Sequence, residues 1–248
     1  MPARVHGYGC RVDVMKSPGG FRFLPTDGPF SGGVAAEPGY EIVRVLASRY
    51  TQLARGFQLV EKVLRDSGRP LAALCAMELR IPAPLTPRGF DEFNAGYIDQ
   101  HTRWGVLVDG HVPSARTNVA PEIEPPTGPS LHAFCFTVEG DARRTTFVIS
   151  GVPEPAGTEG GLPEYWKAIA ETLDKRMSAL GVSWNDATDA QFYGTRADRD
   201  VFAGEHLARF ADVVRPGLRW FFSRPPIDNL RLEIDVRALA GESWERGL

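Results

Sequence analysis

Apolar residues recur at helical spacing over residues 52–67, where Leu53, Phe57, Val60, Val63 and Leu64 share a face and Gly68 follows as a stop. A stronger stripe runs over 165–180, with Tyr165, Ile169, Leu173, Met177 and Leu180 on one face and Gly181 behind it. Shorter amphipathic runs predict helices over 89–101 (Phe90, Phe93, Tyr97, Ile98) and 201–213 (Phe202, Leu207, Phe210). Strand-like stretches lie at 71–81 (after a turn), 106–108, 131–138, 145–150 and 190–193. The cleanest strand pattern is 230–236: Leu230, Leu232, Ile234 and Val236 alternate with Arg231, Glu233, Asp235 and Arg237, the period of a sheet with one solvated face. Residues 8–48 alternate Gly/Pro turns with short apolar stretches and read as strands and turns, while 112–130 reads as loop.

The order of these elements repeats. LVEKVLRDSGRPLAAL, beginning at Leu59, is answered by ETLDKRMSALGVSWNDAT, beginning at Glu171. SARTNVAPEIEPPTGPSLHAFCFTV, from Ser114, is answered by LRWFFSRPPIDNLRLEIDV, from Leu218; each holds an arginine, a proline-rich loop and a strand. A unit of this length is far longer than a solenoid repeat and implies duplicated domains. The polar turn at Glu139-Gly140-Asp141 divides the chain into 1–139 and 140–248, each an α+β unit with helices on one face of a mixed sheet.

Composition narrows the function classes. The 248 residues carry a net charge of −3, which argues against a nucleic-acid partner. Cys10, Cys75 and Cys135 are far apart and odd in number, as free thiols in a reducing compartment would be. No apolar run is long enough for a signal peptide or a membrane span, so the expected location is the cytoplasm. The histidines show no metal-ligand spacing, the GTEGG run from Gly157 lacks the Lys-Ser/Thr of a phosphate loop, and no GxSxG elbow occurs. Neither metal nor cofactor is expected.

FVISG (from Phe147), ALGVSWNDAT (from Ala179), NLRLEIDVRAL (from Asn229) and, in the first half, ARTNV (from Ala115) resemble, in that shared order, the motifs of the RidA/YjgF family. The resemblance implies two tandem chorismate-mutase-like domains, the first divergent, and assembly as a homotrimer around a barrel-like core. It implies a cofactor-free hydrolase or deaminase acting on a small carboxylated imine, enamine or amino-enoic acid. An arginine would hold the substrate carboxylate, and a carboxylate on the last strand would orient water. Arg116 stands at the arginine position of the first copy; Arg219, with Arg224 as the alternative, stands at that of the second. Glu233 falls on the glutamate position, and His132 takes its place in the first copy. SRPPIDNLRLEID also resembles the end of the chorismatases, which implies as an alternative an enzyme acting on a cyclic carboxylate.

The chemistry of these side chains is consistent with such roles. A guanidinium grips a carboxylate through two parallel hydrogen bonds. Arg116 fits that task, Asn118 two residues on adds a polar contact, and the plainer alternative is an arginine that braces a loop. His132, which shares its strand face with Phe134 and Phe136, is either a core histidine or a general acid–base titrating near 6.5. Glu233 is either a water-orienting base or one member of a solvated strand face. A non-catalytic ligand-binding protein is the third alternative.

Overall fold

The structure, a computed structural model, describes residues 13–141, 143–205 and 219–245. The expected helices form. α1 (Leu53–Asp66) buries Leu59, Val60, Val63 and Leu64. α2 (Pro87–Trp104) starts where the Thr86 side chain accepts from the Gly89 N–H at 3.1 Å, with proline in the first turn, where an N–H would have no helical partner. α3 (Leu162–Leu180) buries Trp166, Ile169, Leu173, Met177 and Leu180. It ends at Gly181, whose φ of +71° is a left-handed conformation that glycine adopts without a Cβ clash. α4 (Arg196–Glu205) begins earlier than the expected residue 201, because Thr195 and Asp198 cap it reciprocally: each side-chain oxygen accepts from the other's backbone N–H. Leu207, Phe210 and the rest of that expected helix lie outside the described residues, as does Cys10.

The strands are β1 (Met15–Ser17), β2 (Phe21–Phe23), β3 (Gly33–Ala36), β4 (Tyr40–Gln52), β5 (Leu74–Arg80), β6 (Ala115–Pro121), β7 (Ser130–Glu139), β8 (Phe147–Pro153), β9 (Asp189–Gly194), β10 (Arg219–Arg224), β11 (Glu233–Ala238) and β12 (Gly241–Glu245). They form one 12-stranded sheet in the order β1-β2-β3-β8-β11-β9-β10-β6-β5-β7-β4-β12. Within it, β4-β7-β5-β6 and β8-β11-β9-β10 have the same connectivity and the same pairing senses, each with two antiparallel pairs and one parallel pair. These two units meet where β6 pairs antiparallel with β10. The chain ends cross over: β3 of the N-terminal meander pairs with β8, and β12 pairs parallel with β4.

Each unit packs its helices on one sheet face. Leu232, Ile234 and Val236 join Ile169, Leu173 and Phe202 in one cluster, and Met77, Leu79, Phe134 and Phe136 join Leu59, Val60 and Tyr97 in another. A third cluster, with Phe21, Phe23, Ile42, Cys75, Cys135 and Val148, ties the N-terminal meander to both units.

Three expectations give way. The 112–130 stretch is not all loop, since β6 is buried along its whole length; Arg116, Thr117 and Asn118 break the apolar pattern because they serve polar interiors. The expected strand at 106–108 is a single bridge between Val108 and His111. The charged face of β11 is not solvated: Glu233, Asp235 and Arg237 are at most 3 % exposed. The sheet curls until the opposite faces of the two units meet, so that both faces of β11 are interior. The Ser31–Ala115 bridge and the bond from the Arg116 N–H to Ser150 Oγ (2.9 Å) mark how far β6 comes round toward β8.

An ionic network fills the space between those faces. Arg44 grips Glu78 through Nε and Nη2, both at 2.7 Å. Arg237 bonds Glu78 with Nη1 and Asp235 with Nη2, the latter at 2.6 Å. Asp235 Oδ2 also accepts from Thr117 and Tyr193, each at 2.9 Å. Burial pushes the Glu78 carboxyl up, but Arg237 and Arg44 outweigh it and hold it well below the usual range. Removing one member of a buried network leaves its partners charged and dry. Arg237→Met is therefore expected to cost about 3–5 kcal/mol in urea unfolding, whereas Lys62→Met, at the exposed Lys62–Asp66 pair, leaves the midpoint in place. Equal shifts for the two variants would show that the network does not hold the units together.

Candidate active site

β6 carries Arg116 and Asn118 on one side and Thr117 on the other, as strand alternation requires. Thr117 bonds into the ionic network, while Arg116 and Asn118 line a cavity of about 330 Å³ at the seam between the two units. β11 supplies Glu233 to the same cavity. The loop after β2 supplies Thr26 and Phe30, the end of β8 supplies Gly151 to Pro153, and the β10–β11 loop supplies Pro226 and Ile227. That last loop is latched to the first unit by backbone bonds from Leu85 N to Pro226 O (2.8 Å) and from Asp228 N to Leu85 O (2.9 Å).

Arg116 is set in an aromatic cage. Its guanidinium carbon lies 4.4 Å from the Phe30 ring centre and 4.7 Å from that of Tyr97, with Phe90 and Phe93 each at 5.6 Å. Nη2 donates to Asn94 Oδ1 at 2.8 Å. The rings and the amide fix the plane of the guanidinium, each ring face contributing about 0.5–2 kcal/mol.

Glu233 is in the opposite electrostatic condition from Glu78. Burial, and then the nearby Asp235, push its carboxyl well above the usual range, and Arg80 and Arg116 only partly offset this. The shift favours the protonated form of the acid, and its Oε2 is buried without a protein hydrogen-bond partner. Both amide atoms of Asn118 are likewise buried without a partner. Buried polar atoms are rarely left unbonded, so two such side chains on one cavity wall mark a place for a polar ligand. Gly151 makes room for the acid: a Cβ there would sit 2.0 Å from Glu233 Oε1. The glycine of FVISG is therefore a close-approach position.

The remaining candidates lie elsewhere. His132 does not line the cavity; it stands opposite the bulge in β4, with the Tyr50 ring 6.5 Å away. Burial, and then Arg80, push its pKa down to about 3, against a weaker upward pull from Glu78. The imidazole is thus neutral at neutral pH and does not titrate near 6.5. Arg219, at the exposed start of β10, pairs with Asp189 at 3.3 Å, and Arg224, at its other end, pairs with Glu122 at 3.8 Å. The structure brings Arg116, Asn118 and Glu233 together and leaves His132, Arg219 and Arg224 apart from them. Sequence reasoning passed over Arg176 of α3, which also lines the cavity; its place one turn after Thr172, on the same helix face, was the available signal.

A larger opening between α1 and α2 includes Glu61, but that carboxylate accepts from Trp104 Nε1 at 2.6 Å. Cys75 and Cys135 are buried free thiols, and burial pushes Cys135 up to about 12, so neither offers a thiolate. Among the described residues, no group of three or more His, Cys, Asp or Glu is placed to hold a metal ion, and no helix is long and apolar enough to cross a membrane.

The chain is 37 % identical over 247 residues to the 2-amino-5-chloromuconate deaminase of Comamonas testosteroni, covering 93 % of this chain and 98 % of that one. A crystal structure of a chorismatase superposes with a TM-score of 0.52 at 14 % identity, covering 94 % of this chain and 90 % of the other, a likeness of fold alone. A YjgF/YER057c/UK114 family member from Mycobacterium tuberculosis, 18 % identical, covers 38 % of this chain and 79 % of its own, with a TM-score of 0.30. The family described as 2-aminomuconate deaminase CnbZ matches residues 14–243, and the chain, an α+β protein, belongs to that family.

Proposed function

We propose that the seam cavity is the active site of a cofactor-free deaminase that hydrolyses a 2-aminomuconate-type enamine acid to a 2-oxo acid and ammonia. The observation that carries this reading is a buried Glu233 carboxyl, its pKa pushed up by burial, facing the same cavity as Arg116. In this reading Arg116 holds the carboxylate next to the amino-bearing carbon. Glu233 donates its proton to the far carbon of the conjugated enamine, which becomes an iminium. Water then adds to the iminium carbon while the Glu233 carboxylate takes up its proton. Proton transfer to nitrogen and loss of ammonia break the C–N bond and leave the ketone. Asn118, with a donor and an acceptor to offer, binds the amine and the adding water. An acid whose protonated form burial favours is suited to the first step, and the carboxylate it leaves is suited to the second.

The repeated strand order supports reading the units as tandem RidA-type copies divided near Gly140, one giving the anion anchor and the other the acid. Among the described residues β1 and β12 are the sheet edges, and Trp244 is exposed on β12; both support association, for which a homotrimer is the expected form. Light scattering at the mass of a monomer would remove that part of the reading.

Glu233→Gln is expected to lower kcat for ammonia release by about 10²–10⁴-fold with the fold intact. Arg116→Gln is expected to weaken substrate binding by about 1.5–3 kcal/mol, seen in KM. His132→Gln should leave both constants unchanged; the reverse pattern, with His132 essential and Glu233 dispensable, would overturn the reading.

The pH profile follows from the same shift. Because the raised pKa favours the required acid form, kcat/KM should hold to higher pH than an ordinary carboxylic acid would allow. It should fall on the alkaline side as Glu233 ionises. A profile whose acid limb falls near 6.5 would point to a histidine instead.

A further inference from the structure

The cavity presents a second cationic side chain. Arg176 projects from α3 on the same face as Thr172, and both line the cavity. Its Nη1 donates to the carbonyls of Gly32 and Ser150, at 3.3 and 3.4 Å, which ties the guanidinium to the backbone beside β3 and β8. Ser150 also accepts the Arg116 backbone N–H on its Oγ at 2.9 Å, so one residue of β8 is bonded by both arginines. Arg116 reaches into its aromatic cage at the first-unit end; Arg176 comes from a helix of the second unit. Phe30, Phe90, Val152, Pro153 and Ile227 give the space an apolar wall. Glu233 is the one acidic side chain among the described residues lining it, and burial pushes its pKa up, which disfavours its charged form. A site with two guanidinium groups and an apolar wall suits a ligand that carries a carboxylate at each end of a flat hydrocarbon chain.

We propose that Arg176 binds the distal carboxylate of the substrate and so makes the enzyme selective for linear dicarboxylates over monocarboxylates of the same length. The inference rests on the reading of this cavity as the deaminase site, and it assigns Arg176 to specificity rather than to the chemical steps.

Muconate and sorbate provide a matched pair of stable probes: both are six-carbon dienes, and sorbate has a methyl group where muconate has its second carboxylate. Calorimetric titration of the full chain should show muconate binding at least about 30-fold more tightly than sorbate, the order expected of one charge-assisted contact. Arg176→Gln should reduce that preference to about 3-fold or less while leaving sorbate affinity unchanged, and Arg176→Lys should restore part of it. Arg116→Gln should weaken both probes alike. The proposal is overturned if the wild-type protein does not distinguish the probes, or if Arg176→Gln weakens both equally, as a merely structural arginine would, or affects neither. Absence of ammonia release from 2-aminomuconate, with muconate preference intact and lost in Arg176→Gln, would defeat the deaminase reading while leaving the dicarboxylate site standing.

Discussion

The Arg237 guanidinium, set between Glu78 of β5 and Asp235 of β11, is the interaction on which the arrangement depends. A buried charge is tolerated only when it is paired in good geometry, so the faces of the two four-stranded units can meet in few registers. Arg44 completes the grip on Glu78, and Thr117 and Tyr193 complete Asp235. β11 and β6 each contribute to this network and to the cavity. Side chains two apart on a strand share a face, so holding Asp235 and Arg237 also sets the position of Glu233. Thr117, tied to Asp235, holds the segment of β6 that presents Arg116 and Asn118 on its other side. A change in the ionic interior would thus be felt at the cavity wall.

The same interior shows how one residue type takes two protonation states. Glu78 and Glu233 are both buried, and burial alone would neutralise either. Two guanidinium groups in direct contact reverse that outcome at Glu78. At Glu233 the largest influence after burial is a carboxyl, Asp235, and Arg80 and Arg116 do not compensate. Position relative to the network, rather than burial, separates a structural anion from an acid able to give up a proton.

The helices were legible in the sequence because each has an apolar stripe of the right period and a recognisable stop, as α1 and α3 show. The strands nearest the cavity were less so. β6 reads as loop because Arg116, Thr117 and Asn118 interrupt it, and β11 reads as half-solvated because charges alternate along it. Both misreadings have one cause: hydrophobic periodicity assumes that polar means exposed, and that fails where two sheet faces enclose a polar interior. Arg116, Asn118 and Glu233 were found because family-like motifs marked them. Arg176 was not, since a lone arginine on an amphipathic helix looks like a solvated residue until the fold brings β3 and β8 beside it.

His132 shows what positional equivalence omits. Matching the two halves of the sequence sets it, on β7, opposite Glu233 on β11, yet the groups around it differ. It lies against the cationic side of the network, where Arg80, Arg44 and Arg237 add to burial and keep the imidazole neutral. The arginines of the second unit's matching segment, Arg219 and Arg224, stand at the ends of β10 in partly exposed ion pairs instead of an aromatic cage. Equivalent strand positions in the two units therefore carry unlike chemistry. The network takes its charges from both units and lies to one side of the cavity, which leaves Glu233 outside its grip and His132 within its field. One seam then has a caged guanidinium and an acid whose pKa is pushed up by burial on the same cavity. Its two halves come from different units, so the constellation exists only when the units are docked.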